Sequence, residues 1–398
     1  MRRLNERTLI GRLQSLGVAS RADLAKGLGM SQPTAGKIVD KLLERGILEE
    51  VESAEAGAPR KTGAPNRLGR PGRMLRLNRR HPRFLAMELG VTETRLAALP
   101  VGAEADDRWS VQVPTPGSAE EWLRQLAAAA GRIHQKHFWG VLVSVPGLVD
   151  EPAGRVLFSP NLHWTERVEL PKLIGQVWNA PVLLVQEERA LALGHQSADP
   201  RGDDFLLVDF GEGVGGAVIV GGKPYANPLP ISGELGHTPV PGNQRPCGCG
   251  AVGCLETLVS SRGLLASFAE ADRGGAPAWP VLAQHIAERG VVPWLAAALE
   301  TTGAVIAGAL NVLGLRRVVI TGCLVELPGL VMEHLSGVIK RGAMWGRFGE
   351  VIVQAAPRRR TAGLVAAGLD RLVLPMPSGL RAEAGTAPGE RGTETGWD

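Results

Sequence analysis

The sequence predicts an α/β protein in two parts: an N-terminal winged helix-turn-helix, then a two-lobed α/β body with a zinc-binding loop. Three observations predict it. Residues 1–80 hold three short helical patterns and an excess of basic charge. From Phe84 onward strand patterns alternate with helical ones, and two similar strand–glycine turn–strand openings stand near Glu88 and Asp209. The stretch GELGHTPVPGNQRPCGCGAVGCLE, Gly233 to Glu256, places three of the chain's four cysteines within eight positions, with a histidine ten residues before the first.

The head is built helix by helix. Asn5 is expected to cap a first helix with Leu9, Ile10, Leu13 and Leu16 on its apolar face, and Gly17 ends it. Ser20 opens a second, with Asp23 three residues on, close to a capping box. Ser31 caps a third, where Pro33 is tolerated in the first turn and Ala35, Ile38, Val39, Leu42 and Leu43 share a face. The short turn at Gly29 and Met30 gives the second and third helices helix-turn-helix spacing. The polar start of the third helix would then enter a major groove, with Ser31 at its head, Gln32 and Thr34 toward base edges and Lys37 toward phosphate. Two strand-like ends, Gly46–Val51 and Met74–Asn78, flank a Gly/Pro/Arg-rich middle, as in a wing. Arg67 and Arg70 are DNA-binding candidates at its tip, and Arg70, in GRPGR, could enter a minor groove.

Charge supports the division. Residues 1–83 carry 18 Lys+Arg against 8 Asp+Glu, and the remainder 26 against 32. A basic head on a mildly acidic body points to an anionic partner for the head alone, double-stranded DNA. A helical bundle with a solvated basic surface is the bland alternative; the turn, the wing and the charge bias together favour DNA.

In the body, FLAMELGVTETRLAALPV, FWGVLVSVPGLVD, APVLLVQEERALALGHQ, DDFLLVDFGEGVGGAVIVGG and LRRVVITGCLVE supply the strands, with helical runs such as EEWLRQLAAAAGRIHQKH and PWLAAALETTGAVIAGALNVLG between them. Such alternation puts ligands at strand ends. The boundaries read as a head over 1–80, a first lobe over 81–192 completed by a C-terminal helix near 361–374, a second lobe over 193–360 with the zinc loop, and a polar, disordered tail over 375–398. No run of about 18 apolar residues is present, and the N-terminal MRRLNERTLIGRLQ lacks a signal-peptide core, so a cytoplasmic protein with no membrane partner is expected. In that reducing compartment clustered cysteines point to metal or catalysis more than to a disulfide.

His237, Cys247, Cys249 and Cys254 form His-x9-Cys-x-Cys-x4-Cys. One nitrogen and three sulfurs suit tetrahedral zinc, and four protein ligands close the shell, which makes the ion structural. Cys323 stands apart and reads as a buried thiol.

These residues, together with the GRP of the wing end, VSVPGLVD, SPNLHW, GEGVGG and GELGH, resemble the ROK family of repressors, open reading frames and kinases over nearly the whole chain. The resemblance implies an actin-like, two-lobed sugar-kinase fold. For members with a winged helix it implies sugar-responsive transcriptional regulators acting as homo-oligomers, here a homodimer or dimer of dimers on operator DNA. It places Glu234, His237 and Glu256 on sugar hydroxyls, with His237 holding zinc through one ring nitrogen and facing the sugar with the other. Gly147, Glu187 and Glu188 complete the ligand-binding set.

The kinase parts are altered. Where the family has Asp-x-Gly-x-Thr-Lys, this chain has Glu88-Leu89-Gly90-Val91-Thr92-Glu93; where it has Gly-Thr-Gly, Gly211-Glu212-Gly213. The Asn-Asp pair that carries the base is matched by Glu187-Glu188, leaving Glu188 as a degenerate base position, or by nothing if the alignment takes a one-residue gap. Glu212 puts negative charge where an anion must sit. The expectation is therefore a repressor whose body senses a sugar or sugar derivative without phosphorylating it. The competing classes are an ATP-dependent sugar kinase with a DNA-binding head, and a repressor with a vestigial cleft. No basic cluster near the cleft residues argues for a phosphorylated ligand.

Overall fold

The computed structural model describes residues 2–52, 73–102, 108–199, 202–225, 231–271 and 278–374. Arg67, Arg70 and the 375–398 tail lie outside them. The chain forms two compact units, Met1–Arg76 with the residues from Leu369 onward, and Leu77–Gly368. The first unit thus closes at Arg76 rather than at residue 80. It also includes the turn that follows the C-terminal helix Arg360–Gly368, which the sequence reading places in the body.

In the first unit, α1 (Arg2–Leu16) begins before Asn5, so Asn5 is not its cap; no breaker precedes it, and arginine and leucine are good helix formers. Gly17, at φ +70°, stops it. α2 (Arg21–Gly27) starts with both halves of a capping box, Asp23 N donating to Ser20 Oγ at 3.1 Å and Ser20 N to Asp23 Oδ2 at 3.3 Å. α3 (Gln32–Glu44) is capped by Ser31, whose Oγ accepts from Thr34 N at 3.3 Å. It buries Ala35, Ile38, Val39 and Leu42, while Leu43 is only half-buried. Glu6, 2% exposed, ties α1 to α3 through Lys41 at 2.9 Å and Arg45 at 3.6 Å. Strands Ala19–Ser20 and Leu48–Val51 flank Met74–Leu77 in a three-stranded sheet. A π-helical turn, Leu369–Val373, packs here: Arg45 Nη2 donates to Val373 O at 2.9 Å, and Arg7 pairs with Asp370.

The second unit is a duplication. One sheet orders its strands Val182–Gln186, Gly140–Val145, Pro82–Leu89, Glu93–Pro100, Val111–Pro114. The other orders them Ile352–Ala355, Arg317–Gly322, Phe205–Phe210, Val214–Val220, Lys223–Pro224. In each, the central strand pairs antiparallel with the next strand of the chain and parallel with a later one. Gly140–Val145, Phe205–Phe210 and Arg317–Gly322 are buried at every position and are mostly apolar, with Ser144, Asp209, Arg317 and Thr321 as their polar members. Glu88 and Asp209 fall at equivalent places, Glu88 opposite Ser144 and Asp209 opposite Thr321.

Each sheet's last parallel strand leads into a helix, Glu187–Ala198 in one case and Arg360–Gly368 in the other. These two helices pack backbone to backbone. A Cβ on Gly363 would lie 1.7 Å from Ala190 O, and one on Gly194 1.9 Å from Arg359 O. Helix Pro293–Leu313 is, among the described residues, the one long and apolar enough by length and composition to cross a membrane. Glu300, Thr301 and Thr302 interrupt its apolar sequence. Its Leu295, Leu299, Ile306 and Leu310 are buried in a core shared with Val331, Leu335 and Ile339. One expectation changes. The helix expected to run through EEWLRQLAAAAGRIHQKH ends at Ala130, before Gly131. A hairpin of Leu148–Asp150 with Arg155–Phe158, too short for periodicity to reveal, follows Gly147.

Candidate functional site

The cysteine loop folds on itself through bridges between Pro239 and Cys254 and between Pro246 and Val252. The ligand atoms of His237, Cys247, Cys249 and Cys254 all come within 4.8 Å of one another. Cys247 Sγ is 3.6 Å from His237 Nδ1, and Cys249 Sγ is 3.7 Å from Cys254 Sγ. A tetrahedral ion with metal–sulfur bonds of about 2.3 Å and a metal–nitrogen bond of about 2.0 Å sets such edges at about 3.8 and 3.5 Å. The four side chains can therefore hold a metal ion. Without its charge, burial pushes the Cys247 and Cys254 thiols up; a cation reverses that.

The loop also aims its neighbours. With His237 Nδ1 on the cluster, Nε2 faces Glu234 Oε2 at 3.7 Å. Glu256, two residues past Cys254, accepts from Cys247 Sγ at 2.9 Å and from Val214 N at 3.3 Å. Glu234, His237 and Glu256 line a cleft of about 560 Å³ within the second unit, and Gly147, Glu187 and Glu188 line it too. All six ligand-binding candidates are thus brought together.

Local chemistry explains how each arrives. Gly147 has φ +90°, and a Cβ there would meet Phe158 O at 2.3 Å, so only glycine turns the chain so tightly against the following hairpin. Glu187 and Glu188 begin a helix whose junction is fixed by buried Glu151, which accepts from Gln186 N at 2.9 Å and pairs with Arg189 at 3.2 Å. The Glu188 carboxyl lies against Gly215, where a Cβ would come within 2.4 Å of it. Burial and then the charges of Glu187, Glu234 and Asp209 push its pKa well up. Burial likewise raises Glu234, against the pull of His237. Ser31, Gln32, Thr34 and Lys37 are all exposed on the first unit, but Ser31 Oγ is also held 2.8 Å from Thr34 Oγ1 as part of the helix cap.

The cleft residues that sequence reasoning missed include Asn161, Asp209, Arg358 and Arg360. Arg360 is 2% exposed and donates through Nη1 to Glu88 and through Nη2 to Glu187. Arg358 Nε and Nη2 each reach an Asp209 oxygen at 2.8 Å, and Thr321 Oγ1 donates to Asp209 Oδ1 at 2.6 Å. Burial would raise the Asp209 pKa, but Arg358 outweighs it and holds the carboxyl below the usual range. Arg95 pairs with Glu88 and Glu93, and Arg262 with Glu212 at 2.9 Å. The expectation of no basic cluster at the cleft is therefore corrected. Its cations come from distant parts of the chain and converge only in the fold.

Two similarly wound α/β halves around one cleft define the actin-like sugar-kinase fold. A profile of the ROK family matches residues 84–369, and the chain belongs to that family. It is 24% identical over 273 residues to the xylose repressor of Caldicellulosiruptor bescii, covering 67% of this chain and 66% of the relative. It is 32% identical over 196 residues to the N-acetylmannosamine kinase of Escherichia coli O157:H7, covering 49% of this chain and 66% of that one. The chain thus spans just under two thirds of the length of these relatives. Among solved structures, a ROK family transcriptional regulator homologous to the E. coli MLC protein aligns with TM-score 0.67 at 21% identity, over 92% of this chain and 97% of that one. A ROK glucokinase from Streptomyces griseus in complex with glucose and AMPPNP aligns with TM-score 0.57 at 22% identity, over 71% and 97%.

Proposed function

We propose that the protein is a DNA-binding transcriptional regulator, a repressor, whose ROK body senses a sugar or sugar derivative and does not phosphorylate it. The observation that carries this is the company His237 keeps. One ring nitrogen belongs to the metal cluster, and the other faces Glu234 in a cleft shared with Glu256, Glu187 and Glu188. Carboxylates there accept hydrogen bonds from ligand hydroxyls, and zinc bound by His237, Cys247, Cys249 and Cys254 fixes where they point. Zinc is structural here, because four protein ligands leave no open position.

The altered kinase loops support the non-catalytic reading. Glu212 stands at the glycine turn where phosphate would sit, and Glu187-Glu188 replaces the Asn-Asp pair that carries the base in the kinases. The head supplies the output: α2 and α3 as a helix-turn-helix, with Ser31, Gln32, Thr34 and Lys37 toward operator DNA. Two heads of a cytoplasmic homodimer or dimer of dimers read two half-sites, and a sugar with different affinity for two states of the body shifts their geometry. Likeness to xylose repressors supports this reading. Likeness to an N-acetylmannosamine kinase favours the second one, a sugar kinase with a DNA-binding head. Coupled ATP-consumption assays across pentoses, hexoses and amino sugars separate the two. The proposal expects no sugar-dependent turnover; turnover that disappears in Glu188→Gln overturns it.

A further inference from the structure

The cleft's carboxylates fall into two groups. Glu88, Glu187, Asp209 and Glu212 are each held by an arginine: Glu88 and Glu187 by Arg360, Asp209 by Arg358, Glu212 by Arg262. Glu188, Glu234 and Glu256 have, among the described residues, no lysine or arginine within ion-pair distance; the basic side chain near Glu234 and Glu256 is His237, at 3.7 and 3.8 Å. The division has a topological root. The two duplicated halves each end in a strand-to-helix junction, acidic in one (Glu187-Glu188) and basic in the other (Arg358-Arg359-Arg360). The basic junction reaches the first-strand carboxylates of both halves, Glu88 and Asp209.

We infer that Arg358 and Arg360 are the cleft's resident cations: by holding Glu88, Glu187 and Asp209 they supply the charge a divalent metal would otherwise bring with a nucleotide's phosphates, so the cleft takes an uncharged polyhydroxyl ligand and turns away metal–nucleotides. The inference rests on the sugar-sensor reading and deepens it. Carboxylates converging in a half-buried cleft repel one another by several kcal/mol at close range. A hard divalent cation with oxygen ligands is one remedy. A guanidinium, charged at every accessible pH and matched to carboxylate geometry, is another. Both terminal nitrogens of Arg360 and two nitrogens of Arg358 are already spent on carboxylates, which leaves them poorly placed to receive phosphate as well.

The test is a Mn2+ titration, read by electron paramagnetic resonance, of the full-length protein carrying one zinc per chain. Wild type is compared with Arg358→Gln and with the Arg358→Gln/Arg360→Gln double variant, first with Mn2+ alone and then with Mn2+ and ATP. The double variant is expected to bind one additional Mn2+ on the order of a hundredfold more tightly than wild type, and the single variant about tenfold. Arg358 is a third exposed, so the single variant decides the matter if the double variant fails to fold by circular dichroism. Wild type binding Mn2+ or Mn2+–ATP as tightly as the variants, or a folded Arg358→Gln protein with no gain, overturns the inference. Thermal shifts of wild type with a sugar panel, run alongside, keep the two claims apart. A sugar response without the Mn2+ result sinks the resident cations alone; no response to any sugar sinks the sensor.

Discussion

His237 serves two neighbours at once, and the spacing of the ligand atoms around it leaves room for one ion. Replacing Cys249 with serine is expected to drop zinc content from one per chain toward zero by atomic absorption. It should lower the melting midpoint by about 10 °C, because metal binding contributes directly to folding; an unchanged midpoint in metal-free protein would count against a structural ion. A second residue-scale prediction concerns His195, 5% exposed and set edge-on to Phe205. Burial first, and then the charge of Arg317, lower its pKa to about 4. The unfolded chain, titrating near 6.5, binds the extra proton between those values, so the stabilising effect is present above pH 6.5 and is lost as pH falls toward 4. The loss is about 2 kcal/mol, read from denaturant midpoints at pH 7 and pH 4.5, and His195→Gln should flatten it. At this scale the His/Cys cluster that could hold a metal ion was legible because its spacing is local and chemically narrow. Arg358 and Arg360 were not. Arg360 meets partners 272 and 173 residues away, and a run of three arginines reads as surface charge until the fold buries one of them.

The elements were legible wherever a cap or a long periodic face announced them. Ser20 with Asp23 and Ser31 with Thr34 start their helices as their chemistry requires. The helices Glu187–Ala198 and Arg360–Gly368 were legible as elements, but their mutual contact was not, since Gly194 and Gly363 resemble ordinary tolerated glycines. Gly363→Val should destabilise the body by about 3 kcal/mol or more, read as a lower urea midpoint, because its Cβ has no place beside Ala190 O; an unaltered midpoint would mean that the helices can part without cost. On α3, Lys37→Ala should weaken binding to all duplexes alike and reduce the salt slope by about one. Gln32→Ala should cost about 1–3 kcal/mol and relax sequence preference. Footprints that leave either residue untouched would move the DNA face elsewhere.

The whole molecule repeats one winding twice and joins it to a basic head. The duplication could be suspected from two strand–turn–strand openings, and the matched strand orders bear it out. What the sequence could not show is how the duplicated junctions diverged, one acidic and one basic, so that Glu88, Glu187 and Asp209 pair with arginines of the basic junction. The central claim is that a sugar in that cleft changes how the head holds DNA. It is met most directly by fluorescence anisotropy of the full-length, zinc-loaded protein on a duplex selected from a random library, at fixed salt, with and without each of a panel of pentoses, hexoses and amino sugars. At least one sugar should change the DNA dissociation constant by about tenfold, a coupling of about 1.4 kcal/mol, with no ATP present. DNA affinity that no sugar alters would contradict the account.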